Sequence, residues 1–239
     1  DAKYMARTTD EMFNKTFAFQ WQRKEDNTPV LDWQEFTSNM LSIPMAHQMA
    51  TNYMILDGTP RKQMIKVMRP YQVYAASSII DKVRQHDFDI NDQEIGYIWH
   101  ATGSGKTISS FKTAWLASRL PNVDKVIFLV DRVALTNQTV DEYSAYDPEK
   151  GENGNGGVVT DAANRWVLSK KIKSKGNGII VTSIQKMAAL VKDKKGINDI
   201  AKKNILFIVD EAHRSTAGDM LQSIKTTFTR SAWVGYTGT

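Results

Sequence analysis

Residues 100–107 read His100-Ala101-Thr102-Gly103-Ser104-Gly105-Lys106-Thr107, and this stretch decides the fold. An apolar run at 95–99 precedes it and a helical pattern begins near Lys106, so the predicted order is strand, tight turn and helix N-terminus. Glycines let the backbone of such a turn curl until successive N–H groups point inward, and the helix dipole adds partial positive charge there. The sequence therefore predicts an anion cradle at the end of a strand.

The spacing within this turn is that of a phosphate-binding P-loop. Lys106 is placed to reach the β- and γ-phosphates of a nucleotide, and the Thr107 hydroxyl is placed to coordinate Mg²⁺. The strict motif begins with glycine, whereas this chain has His100 at that position, so the match is to the looser form T-G-S-G-K-T. The residues predicted to bind the nucleoside triphosphate are Thr102, Gly103, Ser104, Gly105, Lys106 and Thr107.

The composition is typical of a globular intracellular protein. Of 239 residues 41% are hydrophobic, no apolar run is long enough to span a membrane, and the first residues lack the apolar stretch of a signal peptide. The chain has no cysteine, which excludes disulfides and thiolate metal sites. A net charge of +5 is compatible with anionic partners such as nucleic acid. We expect a cytoplasmic protein with no membrane partner.

Strands and helices alternate regularly in residues 61–239. Apolar runs predict further strands at 126–130, 178–182, 205–209 and 232–236. Helical patterns lie near 106–119, 133–145, 161–171, 184–191 and 219–228. Nearly continuous apolar strands that alternate with helices indicate a parallel sheet covered by helices on both faces. The expected fold class is α/β, a P-loop NTPase domain over residues 61–239.

Residues 1–60 are predicted to be a small accessory segment. Residues 16–21 alternate as a half-buried strand does, and apolar residues recur at helical spacing from Trp33 to Leu56. The stretch Asp57-Gly58-Thr59-Pro60-Arg61 is typical of a linker. We expect this segment to be the end of a domain that lies mostly upstream.

Polar side chains follow the predicted strands at their carboxyl ends, where open parallel sheets bind ligands. Asp210-Glu211-Ala212-His213 follows the strand at 205–209. Asp210 is predicted to hold Mg²⁺, and Glu211 to orient and polarise the attacking water. His213 is predicted to link the nucleotide state to neighbouring loops. The predicted catalytic residues are Lys106, Asp210, Glu211 and His213.

The series of strand-end motifs resembles the first RecA-like motor domain of superfamily-two helicases and translocases, over about residues 66–239. The motifs that carry it are Tyr71-Gln72, 102–107, Asp131-Arg132, 210–213 and 237–239. The sequence is more closely similar to the motor subunit of type I restriction enzymes, on residues 69–72, 96–100, 130–132, 182–186 and 210–214. In that family a nuclease domain precedes two RecA-like domains that pump double-stranded DNA with ATP.

The resemblance implies roles outside the phosphate cradle. Gln72 would hydrogen-bond the adenine edge of ATP. Arg132, Thr182 and Gln185 would contact or position the DNA backbone, and Thr237 and Thr239 would couple hydrolysis to domain movement. The implied partners are double-stranded DNA and the modification and specificity subunits of a restriction complex. A second RecA-like domain with an arginine finger is expected beyond residue 239, and a nuclease motif is expected upstream, since residues 1–65 contain none.

Charge placement also favours a DNA partner. Residues 161–203 contain 11 Lys and Arg against 3 Asp, which predicts a basic stripe suited to phosphate contact, although a solvated lysine surface explains the same count. We therefore expect an ATP-dependent DNA translocase domain. The alternatives are an RNA or DNA helicase that shares Asp-Glu-Ala-His and a nucleotide-gated interaction domain. Glu211 argues against the last alternative, because a switch needs no water-orienting acid.

Overall fold

The computed structural model describes residues 2–5, 18–59, 63–90, 92–101, 103–131, 133–150, 156–162, 164–193, 196–212 and 218–238. The elements in chain order are α1 Trp33–Phe36, a π-helical turn Thr37–Leu41, α2 Met45–Thr51, β1 Met54–Asp57, β2 Met64–Val67, α3 Pro70–Gln85, β3 Glu94–His100, α4 Lys106–Ala117, β4 Lys125–Val130, α5 Val133–Tyr146, β5 Val159–Asp161, α6 Arg165–Lys173, β6 Ile179–Ser183, α7 Ile184–Lys192, α8 Ile197–Ala201, β7 Ile205–Asp210, α9 Gly218–Thr227 and β8 Ser231–Gly238. None of the described helices has the length and apolar character needed to cross a membrane.

The central sheet has six strands within the described residues, in the order β3-β8-β7-β4-β6-β5. Every neighbouring pair is parallel. All the carboxyl ends therefore lie along one side of the sheet, which we call the carboxyl edge, and the strands begin at the opposite edge. The predicted parallel sheet is confirmed, and its topology brings together residues that are far apart in sequence.

Helices cover both faces of this sheet, as predicted, because the central strands are apolar on both sides. In β4, Val126, Phe128 and Val130 pack in a cluster with residues of α3, α4 and α5. The alternate residues Ile127 and Leu129 pack in a second cluster with residues of α6, α7 and α9. All five side chains are buried, which is why the strand reads as a continuous apolar run.

The accessory segment packs against α3 through a third cluster of buried side chains. Trp21 lies at its centre and contacts Tyr74 edge to face, with ring centroids 5.6 Å apart. The Tyr74 hydroxyl also donates to the carbonyl of Gln22 at 2.5 Å. The other buried members of the cluster are Val30, Phe36, Met40, Met49, Tyr53, Met68, Val73 and Ala76.

Three secondary-structure predictions in and near this segment were wrong. Asp57, predicted to begin a linker, ends β1, which pairs antiparallel with β2 and places Lys66 2.5 Å from the Asp57 carboxylate. Leu56 accordingly lies in a strand rather than a helix. The described part of the predicted strand at 16–21 forms only an isolated bridge between Phe19 and Tyr4.

The helix predicted from residue 161 begins later than expected. Residues 159–161 form the short strand β5 beside β6, and α6 starts at Arg165. The cause is Asn164, whose extended backbone and side chain cap the helix by accepting hydrogen bonds from the amides of Trp166 and Val167.

Candidate nucleotide-binding site

The phosphate loop lies between His100, the last residue of β3, and Lys106, the first residue of α4. Gly103 and Gly105 have φ values of 77° and 84°, in the left-handed region that only glycine adopts without strain. A Cβ on Gly105 would lie 2.4 Å from Gln72 Nε2, whereas one on Gly103 would meet no atom within 4 Å. Gly105 thus permits a close contact, and Gly103 borders open space of the kind a phosphate group requires.

Two side chains of α3 hold the loop at Ser104. The Tyr71 hydroxyl and Gln72 Nε2 each donate to the Ser104 carbonyl at 2.8 Å, and the Ser104 amide donates to the carbonyl of Ala101 at 3.1 Å. Sequence reasoning named Tyr71 only as part of a motif and missed this contact, since it joins residues 33 apart in the chain. The loop is therefore preorganised by α3.

Gln72 is engaged at both ends of its amide. Besides its donation to Ser104, its Oε1 accepts a hydrogen bond from the Arg69 amide at 2.8 Å, which caps the start of α3. The residue is 5% exposed. The predicted contact with adenine stays a prediction.

Lys106 joins the phosphate loop to the end of β7. Its ammonium lies 2.9 Å from Asp210 Oδ1 and also forms an ion pair with the Glu211 carboxylate. Burial lowers the pKa of Lys106, but the hydrogen bonds that its ammonium donates to Glu211 and Asp210, together with their negative charge, outweigh burial and raise the pKa above its usual value. Three of the four predicted catalytic residues therefore meet at one point, and Lys106 stays charged. His213, the fourth, lies outside the described residues.

The turn that carries these acids is held against β8. Glu211 has a φ of 51°, which is uncommon for a residue other than glycine. Its amide donates to Asp210 Oδ1 at 3.0 Å, and the amide of Ala212 donates to the carbonyl of Tyr236 at 3.1 Å. A Cβ at Gly235 would lie 2.9 Å from that of Ala212, so the acidic turn approaches the backbone of β8 closely.

Thr107 and Asp210 fit a magnesium site only as part of a larger ligand set. A hydroxyl and a carboxylate are the oxygen ligands that Mg²⁺ prefers, and this ion usually keeps waters and binds substrate phosphates as well. Thr107 lies in the first turn of α4, and Asp210 ends β7. No group of three or more His, Asp or Glu in the described parts of the chain is arranged to hold a metal ion. Phosphate oxygens and water would supply the missing ligands.

The structure places the residues predicted to contact DNA in different settings. Gln185 Nε2 donates to the carbonyl of Asp131 at 2.8 Å and so ties the start of α7 to the end of β4. Thr182 is fully buried in β6, which does not fit a direct contact with DNA. Thr237 lies beside Trp99 in the β3–β8 register. Thr102, Arg132 and Thr239 lie outside the described residues.

Three basic residues of 161–203 are placed by hydrogen bonds to backbone carbonyls, and they lie at two edges of the sheet. Lys171 and Lys186 lie at the carboxyl edge, where their ammonium groups donate to the carbonyls of Asp161 and Ala162 at 2.6 and 3.1 Å. Lys203 lies at the opposite edge and donates to the carbonyl of Ser174 at 3.5 Å. The predicted stripe stays a prediction, because sequence order does not reveal which end of a helix or strand each lysine occupies.

Comparison with known families decides where the chain belongs. The profile of the SWI2/SNF2 ATPase family matches residues 71–239, which include the phosphate loop and the Asp210–Glu211 turn. The chain belongs to the SWI2/SNF2 ATPase family. This SWI2/SNF2 chain is therefore a helicase-like ATPase domain, and the candidate site described above falls inside the matched region.

Relatives of this SWI2/SNF2 chain are restriction enzyme subunits. It is 35% identical over 240 residues to the type I restriction enzyme SsaAORF53P endonuclease subunit of Staphylococcus saprophyticus, covering 100% of this chain and 24% of that protein. It is 41% identical over 166 residues to the C-terminal part of the MpnIIP endonuclease subunit of Mycoplasma pneumoniae, covering 66% of this chain and 77% of that protein. The resemblance to type I restriction enzyme subunits is confirmed, and the chain spans about a quarter of the length of the staphylococcal relative.

Solved structures support the RecA-like fold of this SWI2/SNF2 domain. The UvsW helicase of bacteriophage T4 superposes with a TM-score of 0.50 over 80% of this chain and 58% of that one, at 14% identity. At that identity the likeness bears on the fold alone. The predicted α/β fold class, a RecA-like P-loop domain, is confirmed.

Proposed function

We propose that this chain is the ATP-binding and ATP-hydrolysing motor domain of an ATP-dependent double-stranded DNA translocase in a type I restriction endonuclease. The observation that carries the proposal is the position of Lys106, which ends the phosphate loop and pairs with both Asp210 and Glu211. A lysine at a helix start and two acids at the carboxyl end of a parallel strand, two places along the sheet from β3, are the parts that phosphoryl transfer to water requires.

In this proposal Lys106 changes partners when nucleotide binds. Its ammonium leaves the two carboxylates and contacts the β- and γ-phosphates, while the loop amides around Gly103 and Gly105 face the phosphate oxygens. Glu211, released from its ion pair, accepts a proton from the water that attacks the γ-phosphorus, and the bond from that phosphorus to the β–γ bridging oxygen breaks. Thr107 and Asp210 would hold Mg²⁺, which neutralises charge on the phosphates when bound.

The partners proposed for this domain follow from its relatives. Double-stranded DNA would be the polymer along which the motor domain moves, and modification and specificity subunits would complete the restriction complex. A second RecA-like domain would supply an arginine across the nucleotide, a contribution worth about a thousandfold or more in rate. The second domain, the DNA and the two subunits are proposals, because the chain covers only a quarter of its staphylococcal relative.

Two variants of the full-length protein separate nucleotide binding from hydrolysis. Lys106→Ala should abolish ATP binding, since it removes the only phosphate-directed charge of the motif. Glu211→Gln should retain ATP affinity but lose about a hundredfold or more in turnover, because it removes the proton acceptor. Lys175→Ala, at an exposed lysine far from the loop, is the control. Calorimetric ATP titration and steady-state ATPase assays measure the two effects.

A comparison of nucleic acids tests whether duplex DNA is the polymer that the domain acts on. ATPase activity of the full-length protein is compared with duplex DNA, single-stranded DNA and RNA. Stimulation by duplex DNA is expected. Stimulation by RNA alone would support the helicase alternative, and nucleotide binding without any turnover would support a nucleotide-gated interaction domain.

A further inference from the structure

His100 occupies the position where the strict phosphate-loop motif has glycine, and the mechanism above gives it no task. It is the last residue of β3 and is only 4% exposed. Its Nδ1 lies 2.8 Å from the Ser104 hydroxyl oxygen, so the side chain reaches across the loop that it precedes. A polar ring buried directly behind a phosphate loop requires a physical explanation.

The protonation state of this ring follows from its surroundings. Burial, and then the charge of Lys106, lower the pKa of His100 below its usual value, so the ring is neutral at pH 7. Its Nε2 is buried and has no hydrogen-bond partner among the described residues. A buried N–H without an acceptor is rarer and costlier than an unused lone pair. The proton therefore belongs on Nδ1, which donates to the Ser104 oxygen.

This assignment fixes the direction of the Ser104 hydroxyl. Its oxygen accepts from His100, its carbonyl accepts from Tyr71 and Gln72, and its amide donates to Ala101. The hydroxyl hydrogen remains as a donor at the apex of the loop, between two left-handed glycines. A nucleotide phosphate is an acceptor that such a donor fits.

The other side of the His100 ring rests on β8. It stacks on Tyr236 with centroids 5.8 Å apart and an angle of 14° between the planes. The Tyr236 hydroxyl is 2.7 Å from Thr113 Oγ1 on α4. The backbone carbonyl of Tyr236 accepts a hydrogen bond from the amide of Ala212, the residue next to Glu211. His100 is therefore clamped between the phosphate loop and the strand that supports the acidic turn.

We propose that His100 is a positioning residue that aims the Ser104 hydroxyl at the nucleotide phosphates and holds the loop against β8. This rests on the proposed function, because it assigns a role within the same ATP site. His100 itself does not contact the nucleotide. It acts through Ser104 on one side and through the stacked Tyr236 on the other.

Two substitutions separate the hydrogen bond from the stacking in the full-length protein. His100→Phe keeps a stacked ring but removes the donor, so ATP affinity should fall about tenfold while the melting temperature changes little. His100→Asn keeps a donor near the position of Nδ1 but loses the ring, so the melting temperature should fall while ATP affinity stays within about twofold of wild type. If the role of His100 were merely structural, the variant with the lower melting temperature would also have the lower ATP affinity. That outcome would overturn the proposal.

Ser104→Ala provides the decisive partner variant. It should weaken ATP binding about tenfold, and the His100→Phe/Ser104→Ala double variant should be no weaker than either single variant. KM for ATP should rise with little change in kcat, since a phosphate contact made before reaction persists through it. Losses that multiply in the double variant would contradict the coupling. ATP binding by Lys106→Ala is measured in parallel. If Lys106→Ala binds ATP as the wild type does, the proposed function itself is overturned. If Lys106→Ala loses ATP binding but His100→Phe does not, only this inference is overturned.

Discussion

Gly105 illustrates how one missing side chain shapes the site. Its left-handed backbone starts α4, and the absence of a Cβ leaves room for the Gln72 amide. We predict that Gly105→Ala weakens ATP binding by more than about tenfold, because the new methyl group must displace Gln72 and with it the hold on Ser104. Calorimetric titration of Mg²⁺–ATP measures the change.

Gly176→Ala is a matched control for this substitution. Gly176 has a φ of 83°, nearly that of Gly105, but a Cβ there would meet no atom within 4 Å. Both variants should lose about 1–2 kcal/mol of stability from the left-handed backbone, whereas only Gly105→Ala should lose ATP affinity. Equal ATP affinity in the two variants would mean that the contact with Gln72 does not shape the loop.

At the scale of elements, sequence reasoning succeeded where the signal is local and failed where it is not. The strand and helix around 100–107 follow from apolar runs and from Gly103 and Gly105. The strand β5 was missed because three residues carry too little periodicity, and β1 was missed because the turn residues after Asp57 resemble a linker. The contact of Lys106 with Glu211 spans 105 residues, so only the sheet order places it.

The accessory segment should contribute strongly to stability through Trp21. This side chain is 2% exposed and packs against α3. We predict that Trp21→Ala lowers the free energy of unfolding by about 3–5 kcal/mol, because it empties the centre of the third cluster. Urea denaturation measures the effect. In Trp33→Ala, whose side chain is 66% exposed, the change should stay within about 0.5 kcal/mol.

The outcome of this comparison also bears on the predicted boundary near residue 60. A large loss in Trp21→Ala with a single unfolding transition would mean that the accessory segment and the sheet unfold together. Two separate transitions, with the second unaffected by Trp21→Ala, would mean that the segment is an independent unit. That result would contradict the prediction that the accessory segment contributes to the stability of the chain through Trp21.

Across the whole molecule, the parallel sheet divides the basic residues between two edges. The candidate nucleotide site lies at the carboxyl edge with Lys171 and Lys186, while Lys175 and Lys203 lie where the strands begin. We predict that Lys171→Gln/Lys186→Gln weakens duplex binding and lowers the slope of log affinity against log salt by about two, one for each lost phosphate contact. Fluorescence anisotropy over a series of salt concentrations gives both values.

The matched double variant Lys175→Gln/Lys203→Gln removes the same charge from the opposite edge. It should leave the salt slope unchanged, since total charge alone does not place lysines on DNA phosphates. Equal losses in the two double variants would indicate non-specific attraction by net charge. Binding that depends on the DNA sequence would contradict a contact made with the DNA phosphates alone.

The ion pairs of Lys106 place its positive charge beside both Asp210 and Glu211. One ammonium pairs with two neighbouring carboxylates, and withdrawing it towards a phosphate would expose Asp210 and Glu211 to each other's charge. In the proposed mechanism, the movement of Lys106 to the nucleotide would leave room for another positive charge beside Asp210. If the proposed function holds, nucleotide and divalent ion would each favour the binding of the other at this site.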